Sequence, residues 1–162
     1  KIGNVVIGGG NPVAIQSMAN IKTSKIDDVV RQIAELEVLG CDIIRVSVKD
    51  DDDVKALSEI KKRISIPLVA DIHFNYKYAL KAIDSGVDKI RINPGNIGSE
   101  KNVEEVAKAL IHSDVAVRVG SNSGSIEKEF LAKYGRSEVS LAESALKNVS
   151  ALERYGVDKI VL

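Results

Sequence analysis

The stretch Gly86-Val87-Asp88-Lys89-Ile90-Arg91-Ile92-Asn93 decides the fold. Its glycine reads as a helix end, because glycine accepts the left-handed backbone found there, and the β-branched residues that follow suit a short strand. The same join recurs at Gly40-Cys41-Asp42-Ile43-Ile44 and at Gly156-Val157-Asp158-Lys159-Ile160. A unit of helix, glycine and strand repeated along one chain marks successive βα units and a parallel sheet.

Working outward from that unit, six strand candidates cover 14–18, 42–48, 67–74, 88–93, 115–120 and 158–162. Amphipathic windows separate them. The first opens with Ser24 and Asp27 in capping-box spacing, carries Ile26, Val29, Val30, Ile33 and Leu36 on one face, and stops at Gly40. The second starts at the acidic run Asp50 to Asp53, which suits the positive end of a helix, and continues through Val54, Leu57 and Ile60. Later windows place Val103, Val106, Ala107, Leu110 and Ile111, and then Leu141, Ala145, Leu146, Val149 and Leu152, at helical spacing. Near the start, residues 5–7 and 13–15 flank Gly8-Gly9-Gly10-Asn11-Pro12 and read as a hairpin that plugs the bottom of a barrel. The glycine triplet reads as a turn; no helix start follows it to make a phosphate loop.

A complete barrel of eight βα units takes about 250 residues. Six strands in 162 residues predict a single α/β domain over 1–162, an incomplete TIM-barrel-like parallel fold. A doubly wound open sheet is the alternative. Lys1 in place of an initiator methionine, and a close on the strand-like Lys159-Ile160-Val161-Leu162, suggest a piece of a larger protein.

Composition narrows the function. Lys plus Arg and Asp plus Glu stand at 23 each, so no net positive field favours nucleic acid or anionic membranes. The single cysteine, Cys41, supports neither a disulfide framework nor a cysteine-rich metal site, and reads as a small core residue. No run approaches the roughly 18 apolar residues of a membrane span, and no secretory leader opens the chain. A soluble protein of a reducing cytosolic compartment is expected.

In a parallel α/β fold the chemistry gathers at the C-terminal ends of the strands. Those ends read Arg45-Val46-Ser47, Asp71-Ile72-His73, Arg91-Ile92-Asn93 and Arg118-Val119-Gly120. Side chains alternate across a strand, so Arg45 with Ser47, Asp71 with His73, and Arg91 with Asn93 each share a face, expected to be the lumen. Buried guanidinium groups need anionic partners. Asp71 is expected to serve one of the three, with Asp42 and Asp88 at the wrong strand ends, leaving charge for a phosphate or diphosphate held through paired charge-assisted bonds. Asp71 and His73 suit orienting a hydroxyl, acid/base work, a pair of metal ligands or, for the histidine, a buried hydrogen-bonded role. His112, the other imidazole, lies on a helix away from these ends. The loops 93–98 and 120–125, rich in Gly, Asn and Ser, follow two of the arginine strands and suit close approach to a ligand. Gln16 reads as lumen-lining or packing, and Lys22 and the Asp50 to Asp53 run as solvated.

These segments, Ile15-Gln16-Ser17-Met18, Ile44-Arg45-Val46-Ser47-Val48, Val69-Ala70-Asp71-Ile72-His73-Phe74, Arg91-Ile92-Asn93-Pro94-Gly95-Asn96-Ile97-Gly98 and Gly120-Ser121-Asn122-Ser123-Gly124-Ser125, resemble in order and spacing the 4-hydroxy-3-methylbut-2-enyl diphosphate synthase family. The resemblance spans nearly the whole chain. It implies a cytoplasmic bacterial oxidoreductase of isoprenoid biosynthesis, in the methylerythritol phosphate pathway, a homodimer that reductively opens 2-C-methyl-D-erythritol 2,4-cyclodiphosphate with electrons from ferredoxin or flavodoxin. It further implies that Arg45, Arg91 and Arg118 contact the cyclodiphosphate, with Asp71, His73, Asn93 and Asn122 on its hydroxyls and phosphates. The family's [4Fe-4S] cluster sits on three cysteines and a glutamate of a C-terminal domain that closes over the partner's barrel, and none of those ligands is in this chain. A family lysine and the last two barrel strands fall after Leu162, and Ser121 and Ser123 stand where relatives commonly carry Val and Ala or His. On this reading the chain alone binds substrate at most and holds no metal. Two other readings stand beside it: a dihydropteroate synthase-like barrel binding a pterin or phosphorylated substrate, and a non-catalytic module that pairs its open strand edges with a second copy.

Overall fold

The computed structural model describes residues 1–93 and 96–162; Pro94 and Gly95 of the 93–98 loop lie outside the described residues. The elements run β1 (Gln16–Met18), α1 (Ile26–Val38), β2 (Ile43–Val48), α2 (Asp51–Arg63), β3 (Leu68–Ile72), α3 (Tyr76–Asp84), β4 (Lys89–Ile92), α4 (Glu100–Ile111), β5 (Ala116–Val119), α5 (Lys128–Tyr134), α6 (Glu138–Glu153) and β6 (Ile160–Val161). The six strands make one sheet in the order β1-β2-β3-β4-β5-β6, with every pair parallel. A doubly wound sheet reverses its strand order at a switch point, and this one never does. The TIM-barrel-like α/β expectation therefore holds, and the doubly wound alternative does not.

Strand alternation divides the interior in two. Outward side chains such as Ile44, Leu68, Ile90 and Val117 pack beneath the helices, joined by Val29 and Ile33 of α1, Leu57 and Ile60 of α2 and Val106 of α4. Inward, Ile43, Val69 and Ala116 close over Ile2 in a small second cluster. That cluster is the plug at the barrel's bottom, and the hairpin expected to form it is absent. Ile2 and Val5 exchange backbone hydrogen bonds in a tight turn instead, while 13–15 is not paired with 5–7 and Val13 is 92% exposed. Burying Ile2 satisfies the apolar floor without a second strand. The glycine triplet is a turn as expected, with positive φ at Gly8, Gly9 and Gly10 and Asn11 donating to the Gly8 carbonyl.

Two local readings are corrected. Ser24 does not cap α1: its amide turns to the Asp53 carboxylate and Lys25 occupies the cap position. A capping box forms instead at Ser137 and Ser140 of α6. The acidic run does cap α2, through Asp50 accepting from the Asp53 amide, yet Asp53 itself is buried rather than solvated, holding the Ser24 and Lys49 amides. The seven-residue α5, which buries none of its residues, had no periodic signal. Gly40 ends α1 as expected, with φ +90° and the Cys41 amide reaching back to Leu36 O.

Candidate functional site

The register brings the strand-end residues together. Asp71 lies level with Ser47 on one side and Arg91 on the other, and Arg91 is level with Arg118. Asp71 is almost wholly buried, and one of its oxygens lies 3.3 Å from Arg91 Nη1 while the other lies 3.6 Å from Arg45 Nε and 3.7 Å from His73 Nε2. The expectation that Asp71 serves a single arginine is thus corrected: its two oxygens let it sit between two guanidinium groups. Arg45 also reaches back to the Met18 sulfur at 3.1 Å. Arg118 has no hydrogen-bond or ion-pair partner among the described residues. Asp42 and Asp88 are engaged at the other end of the strands, by the Ile15 amide and by Leu68 N with Lys61, and neutralise none of the arginines.

Two adjoining cavities share Arg45. One, of about 350 Å³, is walled by Arg45, Arg91, Arg118, Gly120 and α6. The other, of about 840 Å³, is walled by Arg45, Ser47, Asp71, His73, Thr23 and Lys49. Ser47 Oγ is buried without a hydrogen-bond partner among the described residues, while the Ser47 carbonyl accepts from Thr23. This hydroxyl shares its cavity with Asp71 and Arg45, its hydrogen-bonding capacity unused among the described residues.

The remaining predicted residues divide. His73, just past β3, has a side chain 43% exposed at the rim, so the buried, hydrogen-bonded reading of it is overturned. Asn93, just past β4, is buried and partnered. Asn122 is exposed, and its Oδ1 accepts the Gly124 amide, so it shapes its own loop rather than joining the arginine group. Gly120 turns out to serve a side chain: a Cβ there would lie 2.6 Å from Arg91 Nη2 and 2.7 Å from Cζ, so the missing side chain is what lets the guanidinium lie across the backbone. Cys41 is a core residue as expected, with Sγ 3.1 Å from Ile43 O. His112 sits at the far end of α4, its Nδ1 2.7 Å from Lys108 O. No group of three or more His, Cys, Asp or Glu suited to a metal occurs among the described residues.

One lumen residue escaped the sequence reading. Lys89 lies two residues below Arg91 on the same face, is 3% exposed, and donates to Gln16 Oε1 across the lumen at 3.0 Å. Gln16 is therefore lumen-lining. Desolvation, reinforced by Arg118 and Arg45, pushes the Lys89 ammonium down to about 8. The alternation that placed Arg91 and Asn93 inward applies equally to Lys89 and was the available signal.

Comparison with known proteins adds the context. The family model of the GcpE TIM-barrel domain matches residues 1–162. A 4-hydroxy-3-methylbut-2-en-1-yl diphosphate synthase (flavodoxin) from Caldanaerobacter subterraneus subsp. tengcongensis is 52% identical over all of this chain and 46% of its own length. Proteins of the same name from Fusobacterium nucleatum and Caldicellulosiruptor saccharolyticus are 47% and 52% identical, over 46% and 47% of theirs. The chain spans about half the length of these curated relatives. Among solved structures, dihydropteroate synthases from Yersinia pestis and Vibrio fischeri superpose with TM-scores of 0.63 and 0.66 over 90% and 91% of this chain and 54% and 59% of theirs. Their identities of 12% and 13% make this a likeness of fold alone.

Proposed function

The chain belongs to the family of the GcpE TIM-barrel domain, and from that premise we propose that it is the substrate-binding barrel of a 4-hydroxy-3-methylbut-2-enyl diphosphate synthase. In this reading it holds 2-C-methyl-D-erythritol 2,4-cyclodiphosphate during the reductive ring opening that serves isoprenoid biosynthesis. The observation that carries it is the charge of the lumen: Arg45, Arg91 and Arg118 line one cavity, buried Asp71 pairs with Arg45 and Arg91, exposed Glu138 at the cavity wall pairs with none of the three, and Arg118 has no partner among the described residues. Guanidinium forks hold phosphate oxygens in pairs, and a cyclic diphosphate supplies the missing negative charge.

Each residue then has a physical task. Arg118 and the free faces of Arg45 and Arg91 hold the diphosphate. Asp71 fixes the planes of Arg45 and Arg91 and, with Ser47, offers hydrogen-bonding groups to the substrate's hydroxyls. His73 and Asn93 close the rim, and Asn122 reaches the ligand through the loop it organises.

The reducing centre lies elsewhere. A [4Fe-4S] cluster on three cysteines and a glutamate does not fit this chain, which has one cysteine, buried at the opposite end of the barrel and bonded to Ile43 O. The cluster, and the further domain carrying it, would be supplied by sequence outside these residues, closing over the barrel in a homodimer. The relatives are named as flavodoxin-type synthases, which supports flavodoxin as the electron donor, with ferredoxin in the same role. No helix among the described residues is long and apolar enough to cross a membrane; a bacterial cytoplasmic location belongs to the same proposed reading.

Isothermal titration of the cyclodiphosphate into the full-length protein and its Arg91→Ala variant tests the reading. Loss of one charge-assisted contact is expected to cost about 1.5–3 kcal/mol. Equal affinity of the two proteins would sink the assignment.

A further inference from the structure

We infer that Lys89 is a fourth cation of the anion site, its ammonium meeting the phosphate groups from the lumen floor while Gln16 holds it in place; this rests on the cyclodiphosphate reading above. Three observations converge. Lys89 is 3% exposed and projects into the lumen in the row beneath Arg91, level with Val69 and Ala116. Its one hydrogen-bond partner is the neutral Gln16 amide oxygen at 3.0 Å, and no carboxylate pairs with it among the described residues. Asp71, the carboxylate nearest the arginines, has its ion pairs with Arg45, Arg91 and His73.

A buried ammonium without a counter-charge destabilises the empty barrel, and natural cores keep such groups where a ligand supplies the charge. The internal repeat provides a control. Lys159 stands at the same place in Gly156-Val157-Asp158-Lys159-Ile160 as Lys89 does in its own unit, yet it is half-exposed and paired with Asp114 at 2.6 Å. The repeat does not itself require an inward, unpaired lysine; the Lys89 unit has one where the arginines gather.

The charged groups around the ammonium set the direction of its response. Arg45 from β2 and Arg118 from β5 repel it, Arg91 stands above it on β4, and Asp71 from β3 is engaged by the arginines. The N-terminal plug meets the lumen floor with Ile2, Val5, Ile7 and Ala14, while Lys1 opens onto the cavity beside Ala116 and Lys159, β1 offers Gln16, and exposed Glu138 of α6 stands at the outer wall of the arginine cavity. A bound diphosphate reverses this balance and draws a proton onto Lys89.

Calorimetric titration of the full-length protein with the cyclodiphosphate, in two buffers of different ionisation enthalpy at pH 8.5, reads affinity and proton uptake together. Wild-type protein is expected to take up a fraction of a proton per ligand. Lys89→Met should bind roughly tenfold or more weakly with that uptake removed. Gln16→Glu, which keeps the fold's shape and gives Lys89 a carboxylate, should weaken binding severalfold and also suppress the uptake, so the inference stays testable if Lys89→Met fails to fold. Wild-type affinity and uptake in both variants, with Arg118→Ala impaired, would overturn the role of Lys89 alone. If Arg118→Ala also binds like wild type, the cyclodiphosphate reading falls with it.

Discussion

The two faces of the same strands behave as different materials. Outward, β2 to β5 carry an unbroken apolar set, Ile44, Val46, Leu68, Ile90 and Val117 among them, each without measurable exposure. Inward, Ile43, Val69 and Ala116 are apolar, Arg45 and Lys89 interrupt them in the register row of Val69 and Ala116, and the next row is ionic at Asp71, Arg91 and Arg118. A one-residue alternation therefore separates side chains that hold the sheet to its helices from side chains that the fold leaves under-neutralised. Stability and binding are carried by residues that are sequence neighbours, and substitutions at Ile90 and at Lys89 should have opposite effects.

Ile90→Ala tests the outer face and should have the largest effect on stability. Removing this buried side chain is expected to cost about 2–5 kcal/mol in urea unfolding, through lost burial and a residual cavity, with cyclodiphosphate affinity nearly unchanged in the fraction that remains folded. A comparable loss of affinity would show that the two faces are not separable. The adjacent residue should do the reverse. Lys89 is held near 8 in the folded protein against 10.5 for an exposed lysine, so between those values the unfolded chain binds the proton that the folded one has released. Stability attributable to this group therefore rises with pH across that window, by on the order of 3 kcal/mol in full. Lys89→Met should be more stable than wild type at pH 7, and the advantage should shrink as pH climbs toward 10.5. A difference between the two proteins that does not vary with pH would mean that the ammonium is not destabilised in the lumen.

The comparison also explains what could be read in the chain before its structure. Period-two alternation and helix-end glycines carry the fold, because burial on the outer face demands continuous apolar residues there. The same alternation found Arg45, Asp71, Arg91 and Arg118. What it left out are facts of tertiary partnership. Lys89 shares the inward face, but the sequence repeat equates it with Lys159, and only the packed structure distinguishes a lysine on Gln16 from one on Asp114. Asp53 reads as part of a solvated acidic run until the Ser24 and Lys49 amides are seen on its carboxylate. Asp71 has two oxygens, and whether it serves one arginine or two depends on strand register rather than composition.

Gly120 gives the smallest and most selective test of the division. Its amide donates to Ile92 O, as any residue's would, so a side chain there leaves the backbone pairing intact. The added Cβ would instead meet Arg91 Nη2 at 2.6 Å, and the guanidinium, being the flexible partner, must move away from Asp71. Replacing glycine by alanine also reduces the freedom of the unfolded chain, which favours folding by about 0.4–1 kcal/mol where the backbone accepts it. Gly120→Ala should therefore melt at or slightly above the wild-type temperature while binding the cyclodiphosphate about fivefold more weakly, roughly 1 kcal/mol and less than Arg91→Ala because the charge is displaced rather than removed. Gly124→Ala is the matched control: its Cβ would sit 3.4 Å from Asn122 Oδ1, an ordinary contact, and affinity should hold. Equal binding by both variants would show that Arg91 does not depend on the bare backbone at Gly120. Weakened binding by Gly120→Ala alone would place the close approach of backbone and guanidinium among the features that set the anion site.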